Sequence, residues 1–292
     1  MLRTLSRFAL PLSLALAAPA LGCSGGATTS EPPVTAETAT TRAPVAQGAH
    51  GVVKLAGDAL GDVPLTASQR AAIEKLAADT EARHAPVRAA HRDLALAVAA
   101  QVQVGQIDRA ALQPKIDALV AALRATQPAD RASLEQLHEI LTHDQRVAFV
   151  DALKARIHHK VGDPKAKHPL AQWAADLQLS DDQKTQIKTA LRQRFQAMRQ
   201  RAAAGEHAGA PWAEARERGH KMLDAFEQDR FVMDEVAPAQ DLSQKAVHGA
   251  DHMLGMIETV LPILTPEQRA TAAQKLRDRA DAAGGELPGT MP

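Results

Sequence analysis

The chain of 292 residues contains no tyrosine, and its aromatic content is only 2%. β-Sheets draw on aromatic and β-branched side chains, so this shortage argues against a β-sandwich or a β-barrel. Alanine and leucine are abundant instead, together with glutamine, arginine, lysine and glutamate, and these residues favour helices. Apolar residues make up 45% of the chain, enough to build cores. We therefore predict an all-α fold.

The chain also has only one cysteine and no net charge. A single cysteine excludes a disulfide within the chain and any metal site built from several cysteines. The 34 basic and 34 acidic side chains cancel, whereas nucleic-acid-binding proteins normally present a basic field, so we expect no nucleic-acid partner. The sequence has no Gly-x-Ser-x-Gly elbow, no phosphate-binding loop and no Rossmann glycine pattern. We therefore expect no catalytic activity and no catalytic residues.

The N-terminal segment has the features of an export signal. Two arginines precede an apolar run from Phe8 to Leu21, which is shorter than the about 20 residues that a membrane-spanning helix needs. The sequence Ala-Leu-Gly stands directly before Cys23 and resembles the bacterial lipoprotein box. In that box the cysteine is lipidated and becomes the new N-terminus. We predict a lipoprotein signal peptide over 1–22 and lipidation of Cys23. Ordinary cleavage near Ala20, which leaves a free thiol, is the alternative.

These features predict a periplasmic protein that contacts the membrane through its lipid anchor only. Ser24 follows the cysteine at the position where, in some bacteria, an aspartate retains lipoproteins in the inner membrane, so we expect the outer membrane. Residues 23–62 are rich in Ala, Thr, Pro, Gly and Ser and show no helical periodicity. That composition predicts a disordered tether between the lipid and a folded body.

A short motif occurs four times and has the chemistry of a helix start. Its Thr or Ser can accept a free backbone N–H as the N-cap, and its Gln, three residues later, can reach back to the N-cap amide in a capping box. The leucine before each cap is expected to pack into a helical bundle. The leucines are Leu65, Leu141, Leu179 and Leu264, the caps are Thr66, Thr142, Ser180 and Thr265, and the glutamines are Gln69, Gln145, Gln183 and Gln268.

The order and spacing of the four boxes indicate a duplication. The first two boxes are 76 residues apart and the last two are 85 apart. We predict two tandem helical units, over 63–157 and 179–282, joined by a linker over 158–178 and followed by a flexible tail over 283–292. Four unrelated caps in one long bundle are the alternative.

Paired Leu-Thr-x-x-Gln boxes at this spacing resemble the Spy/CpxP family of bacterial periplasmic proteins, and the segment from Phe226 to Phe231 is similar to that family's turn between helices. The resemblance covers both units. Family members form curved helical cradles, usually dimeric, that act as ATP-independent chaperones, stress-signalling inhibitors or metal-responsive proteins. The tandem units, the lipoprotein box and an insertion near 202–214 depart from the family. The resemblance implies a curved bundle in which the two units pair as an intrachain pseudo-dimer, and it leaves further homo-oligomerisation open.

The resemblance further implies a protein that binds unfolded or stressed envelope proteins on its helical cradle without ATP. Such a cradle needs apolar surface and steering charge rather than a catalytic group, and methionines adapt to varied partners. The second unit combines basic, aromatic and methionine side chains. In the alternative interpretation, the Met and Phe side chains form a core and the arginines lie on a solvated face. The candidate client-binding residues are Arg192, Phe195, Met198, Arg199, Met222, Phe226, Phe231 and Met233.

The alternative function is heavy-metal response or metal buffering in the periplasm. His248 and His252 are four residues apart and would share one helical face, a spacing that can supply two ligands to zinc or copper. Exposed histidines without a metal are the competing interpretation, and no cofactor is otherwise expected. A third alternative is a structural or signalling adaptor that docks a sensor domain.

Overall fold

The computed structural model describes residues 40–162, 169–204, 211–237 and 242–282. In these ranges every regular element is helical, apart from one β-bridge between Thr41 and Leu65, and the all-α prediction is confirmed. The helices are α1 (Gly51–Leu60), α2 (Ala67–Val104), α3 (Arg109–Ile140), α4 (His143–Gly162), α5 (Pro169–Asp176), α6 (Asp181–Ala203), α7 (Pro211–Phe226), α8 (Met233–Val236), α9 (Leu242–Val260) and α10 (Pro266–Ala282), with a 3₁₀ turn at Leu261–Ile263.

Local chemistry explains where the longest helices begin and end. α2 is capped by Gly105, whose positive φ of 92° lets its N–H return to the carbonyls of Gln101 and Val102. Asp108 then caps α3, because its side chain accepts the backbone N–H of Ala111 at 3.1 Å. α2 and α3 therefore fold back on each other, and α10 and α9 pack against them. None of the helices in the described ranges is long and apolar enough to cross a membrane.

In the described ranges the buried apolar side chains form two clusters, and each joins early and late parts of the chain. In the first cluster, Leu94 of α2 and Leu112 of α3 pack with Leu254 of α9. In the second cluster, Leu65 of the first box and Val150 of α4 pack with Phe226 at the end of α7. Neither predicted unit therefore buries its apolar side chains alone.

The predicted tether is wrong over residues 40–62. Val45 and Leu60 are buried in the second cluster, and α1 packs against α4. Residues 41–50, named the strap here, lie against α2: the Thr41 and Leu65 backbones exchange hydrogen bonds of 2.9 and 3.1 Å, and Glu81 accepts the backbone N–H of His50 at 2.8 Å. Burial alone would raise the pKa of Glu81, but the hydrogen bonds from His50 and the charge of Arg88 hold it below its usual value.

The predicted linker over 158–178 contains helical segments at both ends. α4 continues to Gly162, and α5 follows with Trp173 packed against the first apolar cluster. Cys23 and its signal peptide, the tail over 283–292 and residues 205–210 of the insertion near 202–214 lie outside the described residues.

Candidate functional site

Each of the four motif copies stands directly before a helix, at the starts of α2, α4, α6 and α10. In the first copy, the Gln69 backbone N–H donates to Thr66 Oγ1 at 3.2 Å, and Gln69 Oε1 accepts the Thr66 backbone N–H at 3.1 Å. The other three copies make the same reciprocal bonds, with distances between 3.0 and 3.4 Å. The preceding leucines are Leu65, Leu141 and Leu264, which are buried, and Leu179, which is partly buried.

The four glutamines also meet in pairs, which the sequence did not reveal. Gln69 Nε2 donates to Gln145 Oε1 at 2.7 Å, and Gln145 Nε2 donates back to Gln69 Oε1 at 2.9 Å. Gln183 and Gln268 make the same exchange at 2.8 and 3.0 Å. The sequence carries one signal for this pairing: Gln occupies all four positions, although Glu would complete a capping box equally well. Each amide pair joins the starts of two helices that are far apart in sequence.

The arginine after the second box of each pair reaches a turn in the other half of the chain. Arg146 is buried and donates to the carbonyl of Leu141 at 3.1 Å and to Asp229, in the turn after α7, at 2.8 Å. The guanidinium of Arg269 lies against Gly105, in the turn after α2, where a Cβ would come within 2.1 Å of it. These contacts are reciprocal: α4 contacts the later turn, and α10 contacts the earlier one.

The structure corrects three of the predicted client-binding residues. Phe226, Phe231 and Met233 are 4%, 7% and 5% exposed, because they pack with Phe149 and Leu65 in the second apolar cluster. The two phenylalanine rings lie 5.1 Å apart, and both contact the imidazole of His138. Met222 is partly buried against the same cluster. These side chains belong to the core and are not available to a client.

The remaining candidates lie on α6, which has no buried side chain among those described. Lys184, Lys188, Arg192, Phe195 and Arg199 recur at helical spacing, all are exposed, and we name them the α6 face. Phe195 is 39% exposed, Met198, three residues later, is half-buried, and Val247 of α9 is 42% exposed.

The α6 face carries charge of one sign. All charged residues from Lys184 to Arg201 are basic. Lys184 pairs with Asp181 in the first turn at 2.9 Å, whereas the described residues offer no ion-pair partner to Lys188, Arg192 or Arg199. An anionic partner could therefore bind these cations without displacing an existing ion pair.

The predicted metal ligands His248 and His252 lie on α9, next to this surface. The His252 ring centroid is 6.0 Å from that of Phe195. Burial lowers the pKa of His252, and the charges of Arg194 and His248 lower it further. A nearby guanidinium also repels a metal cation. Among the residues that the structure describes, no cluster of three or more His, Cys, Asp or Glu could hold a metal ion. His248 and His252 are therefore two candidate ligands without a third beside them in the described ranges.

Comparison with known proteins adds no relative: no protein-family model, no curated protein and no solved structure matches this chain.

Proposed function

We propose that this chain is a lipid-anchored periplasmic protein that holds unfolded or stressed envelope proteins without ATP and without catalysis. The observation that carries the proposal is the α6 face, where an exposed aromatic ring lies among cations, three of which have no ion-pair partner in the part of the chain that the structure describes. The ring offers apolar contact to the side chains that an unfolded protein exposes. The cations attract clients over longer distances and keep the apolar surface soluble.

The proposal includes two related units of the Spy/CpxP type, over 63–157 and 179–282, that pair within one chain. Three observations support it: one glutamine pair in each unit, apolar clusters that draw on both, and the reciprocal contacts of Arg146 and Arg269. In this proposal the second unit takes the place that a second subunit has in the usual dimers of that family.

An aggregation assay tests the function. Insulin reduced with dithiothreitol aggregates as its chains separate, and the expected result is suppression at a near-stoichiometric ratio, without ATP. Because the proposed mechanism uses no metal, suppression should be equal with and without EDTA. Absence of suppression at any ratio would contradict the proposal. Suppression that EDTA abolishes, that zinc restores and that His248→Ala with His252→Ala removes would support the metal-dependent alternative instead.

A further inference from the structure

The strap shows how this fold holds an extended polypeptide. Arg70, one residue after the first box, donates from its guanidinium to the main-chain carbonyls of Ala43 at 2.9 Å and Thr41 at 3.0 Å. Val45, in the middle of the strap, is buried in the second apolar cluster, and Glu81 holds the strap's other end at His50. A cation thus captures backbone carbonyls, which any sequence provides, while an apolar side chain is buried beside it.

The corresponding positions of α6 are open. Alignment of the first and third boxes places Lys184 where α2 has Arg70, and Phe195 where α2 has Glu81. The strap covers the α2 positions, so that the Glu81 side chain is 18% exposed, whereas the Lys184 side chain is 50% exposed and Phe195 is 39% exposed. The third box therefore starts a helix with a cation at the position of Arg70, and no described segment lies over it as the strap lies over α2.

We propose that the α6 face binds an extended acidic segment of an unfolded protein in the way that the strap lies on α2. Lys184 would bind main-chain carbonyls, Lys188, Arg192 and Arg199 would bind carboxylates, and Phe195 would contact an apolar side chain. This inference rests on the proposed function and on the duplication, and it specifies the class of segment that binds.

The composition of α6 favours a polypeptide over a lipid surface as the occupant. Helices that insert into a membrane interface expose a continuous apolar face. The α6 face has a single aromatic ring among cations, and Ile187 of the same helix packs against the first apolar cluster. A mostly polar face suits a peptide whose carboxylates alternate with apolar residues, because both kinds of side chain then find a partner.

Direct binding to the full chain tests the inference. The probe is a fluorescein-labelled peptide as long as residues 40–50, with alternating Glu and Val, and the signal is fluorescence anisotropy. We expect saturable binding that weakens with salt, weaker binding of a Glu/Ser peptide, and none of a Lys/Val peptide. Equal binding of all three peptides, or none of the first, would overturn the inference. So would binding of phosphatidylglycerol vesicles but not of the Glu/Val peptide.

Matched variants locate the site. Arg192→Glu should weaken Glu/Val binding about tenfold, since it replaces an attraction by a repulsion. Arg279→Glu, the same charge change at an exposed position of α10, should leave it within about twofold. Phe195→Ser should weaken binding about fivefold, and Val104→Ser, at a side chain 78% exposed, should not. If each variant and its control behave alike, the α6 face is not the site.

The same variants separate this inference from the proposed function. If the parent chain suppresses insulin aggregation and Arg192→Glu and Phe195→Ser suppress it equally well, clients bind elsewhere: the function stands and the inference fails. If the parent does not suppress aggregation but binds the Glu/Val peptide through Arg192, the site is right and the function is wrong.

Discussion

A glutamate at the third position of a helix can accept the N-cap N–H as well as a glutamine can, but only the amide also donates. In this protein both roles are used. Gln69 Oε1 accepts from Thr66 and from Gln145, while its Nε2 donates to Gln145 and to the carbonyl of Ile140 at 2.8 Å. The residue type at this position is therefore fixed by the pairing of two helix starts rather than by the cap.

Gln69→Glu should consequently destabilise the protein although it preserves the capping box. The substitution removes two donated hydrogen bonds in a partly buried site, and we expect the free energy of unfolding in urea to fall by about 1–3 kcal/mol. Gln186→Glu, at an exposed position of α6, is the matched control and should change it by less than about 0.5 kcal/mol. Equal effects of the two substitutions would show that the amide pair contributes nothing.

Gly105 allows a second test at the same scale. Its positive φ strains any other residue, and a Cβ there would collide with the guanidinium of Arg269. We expect Gly105→Ala to lower the free energy of unfolding by about 1–2 kcal/mol. Gly249→Ala, inside α9 with nothing near its Cβ, should raise it by about 0.5–1 kcal/mol.

Adding Arg269→Ala separates the two causes. If the collision contributes, Gly105→Ala should lower the free energy of unfolding less in the Arg269→Ala background than in the parent chain. An unchanged cost would assign the whole effect to backbone strain.

Among the elements, the sequence predicts the helices that carry their own start signals. α2, α4, α6 and α10 begin at capping boxes, so local hydrogen-bond chemistry is enough to place them. α1 has no such signal: its sequence contains Gly51, Val52, Val53 and Gly57, which disfavour helix, and no side chain caps it. It forms because Ala59 and Leu60 are buried against other elements, and a stabilisation of that kind comes from tertiary packing.

The strap that precedes α1 can be tested as an element. Trypsin must detach the strap to cleave after Arg42, and the contacts of Arg70 oppose that detachment. We expect Arg70→Ala to speed the cleavage after Arg42 about tenfold, measured by mass spectrometry of early fragments. Lys75→Ala, which removes only an ion pair within α2, is the control. Cleavage at one rate in all three proteins would mean that the strap is not held by Arg70.

At the scale of the whole molecule, the sequence shows which residues are apolar but not which partner covers them. Phe226, Phe231 and Met233 have the composition of a client-binding patch within their own unit. They are buried because side chains near the first two boxes, among them Leu65 and Phe149, pack over them. Phe195 stays exposed because none of the described segments lies over it as the strap lies over α2. Long-range packing of this kind has no local sequence signal.

Charge contributes to the pairing of the two halves. Several cations from 63–157 form ion pairs with carboxylates from 179–282: Arg92 with Asp281, Arg109 with Asp251 and Glu258, Arg131 with Asp234, Arg146 with Asp229, and Lys154 with Asp224 and Glu227. Each pair alone contributes little at a surface. Because the first half supplies the cations and the second half supplies the carboxylates, the set favours contact between the two different halves over contact between two copies of the same half.

A charge exchange at Arg109 tests this division of charge, because Arg109 bonds two carboxylates of α9, with Glu258 at 2.7 Å. Arg109→Glu places three carboxylates together and should lower the free energy of unfolding by about 1–2 kcal/mol at low salt. Arg109→Glu with Glu258→Arg should recover at least half of that loss, and 1 M NaCl should shrink both effects. The control cycle is Lys75→Glu with Asp79→Lys, an ion pair within one helix, with an expected coupling of about 0.3–0.5 kcal/mol. If the Arg109 cycle couples no more strongly than this control, charge does not select the pairing of the two halves, and apolar packing alone accounts for it.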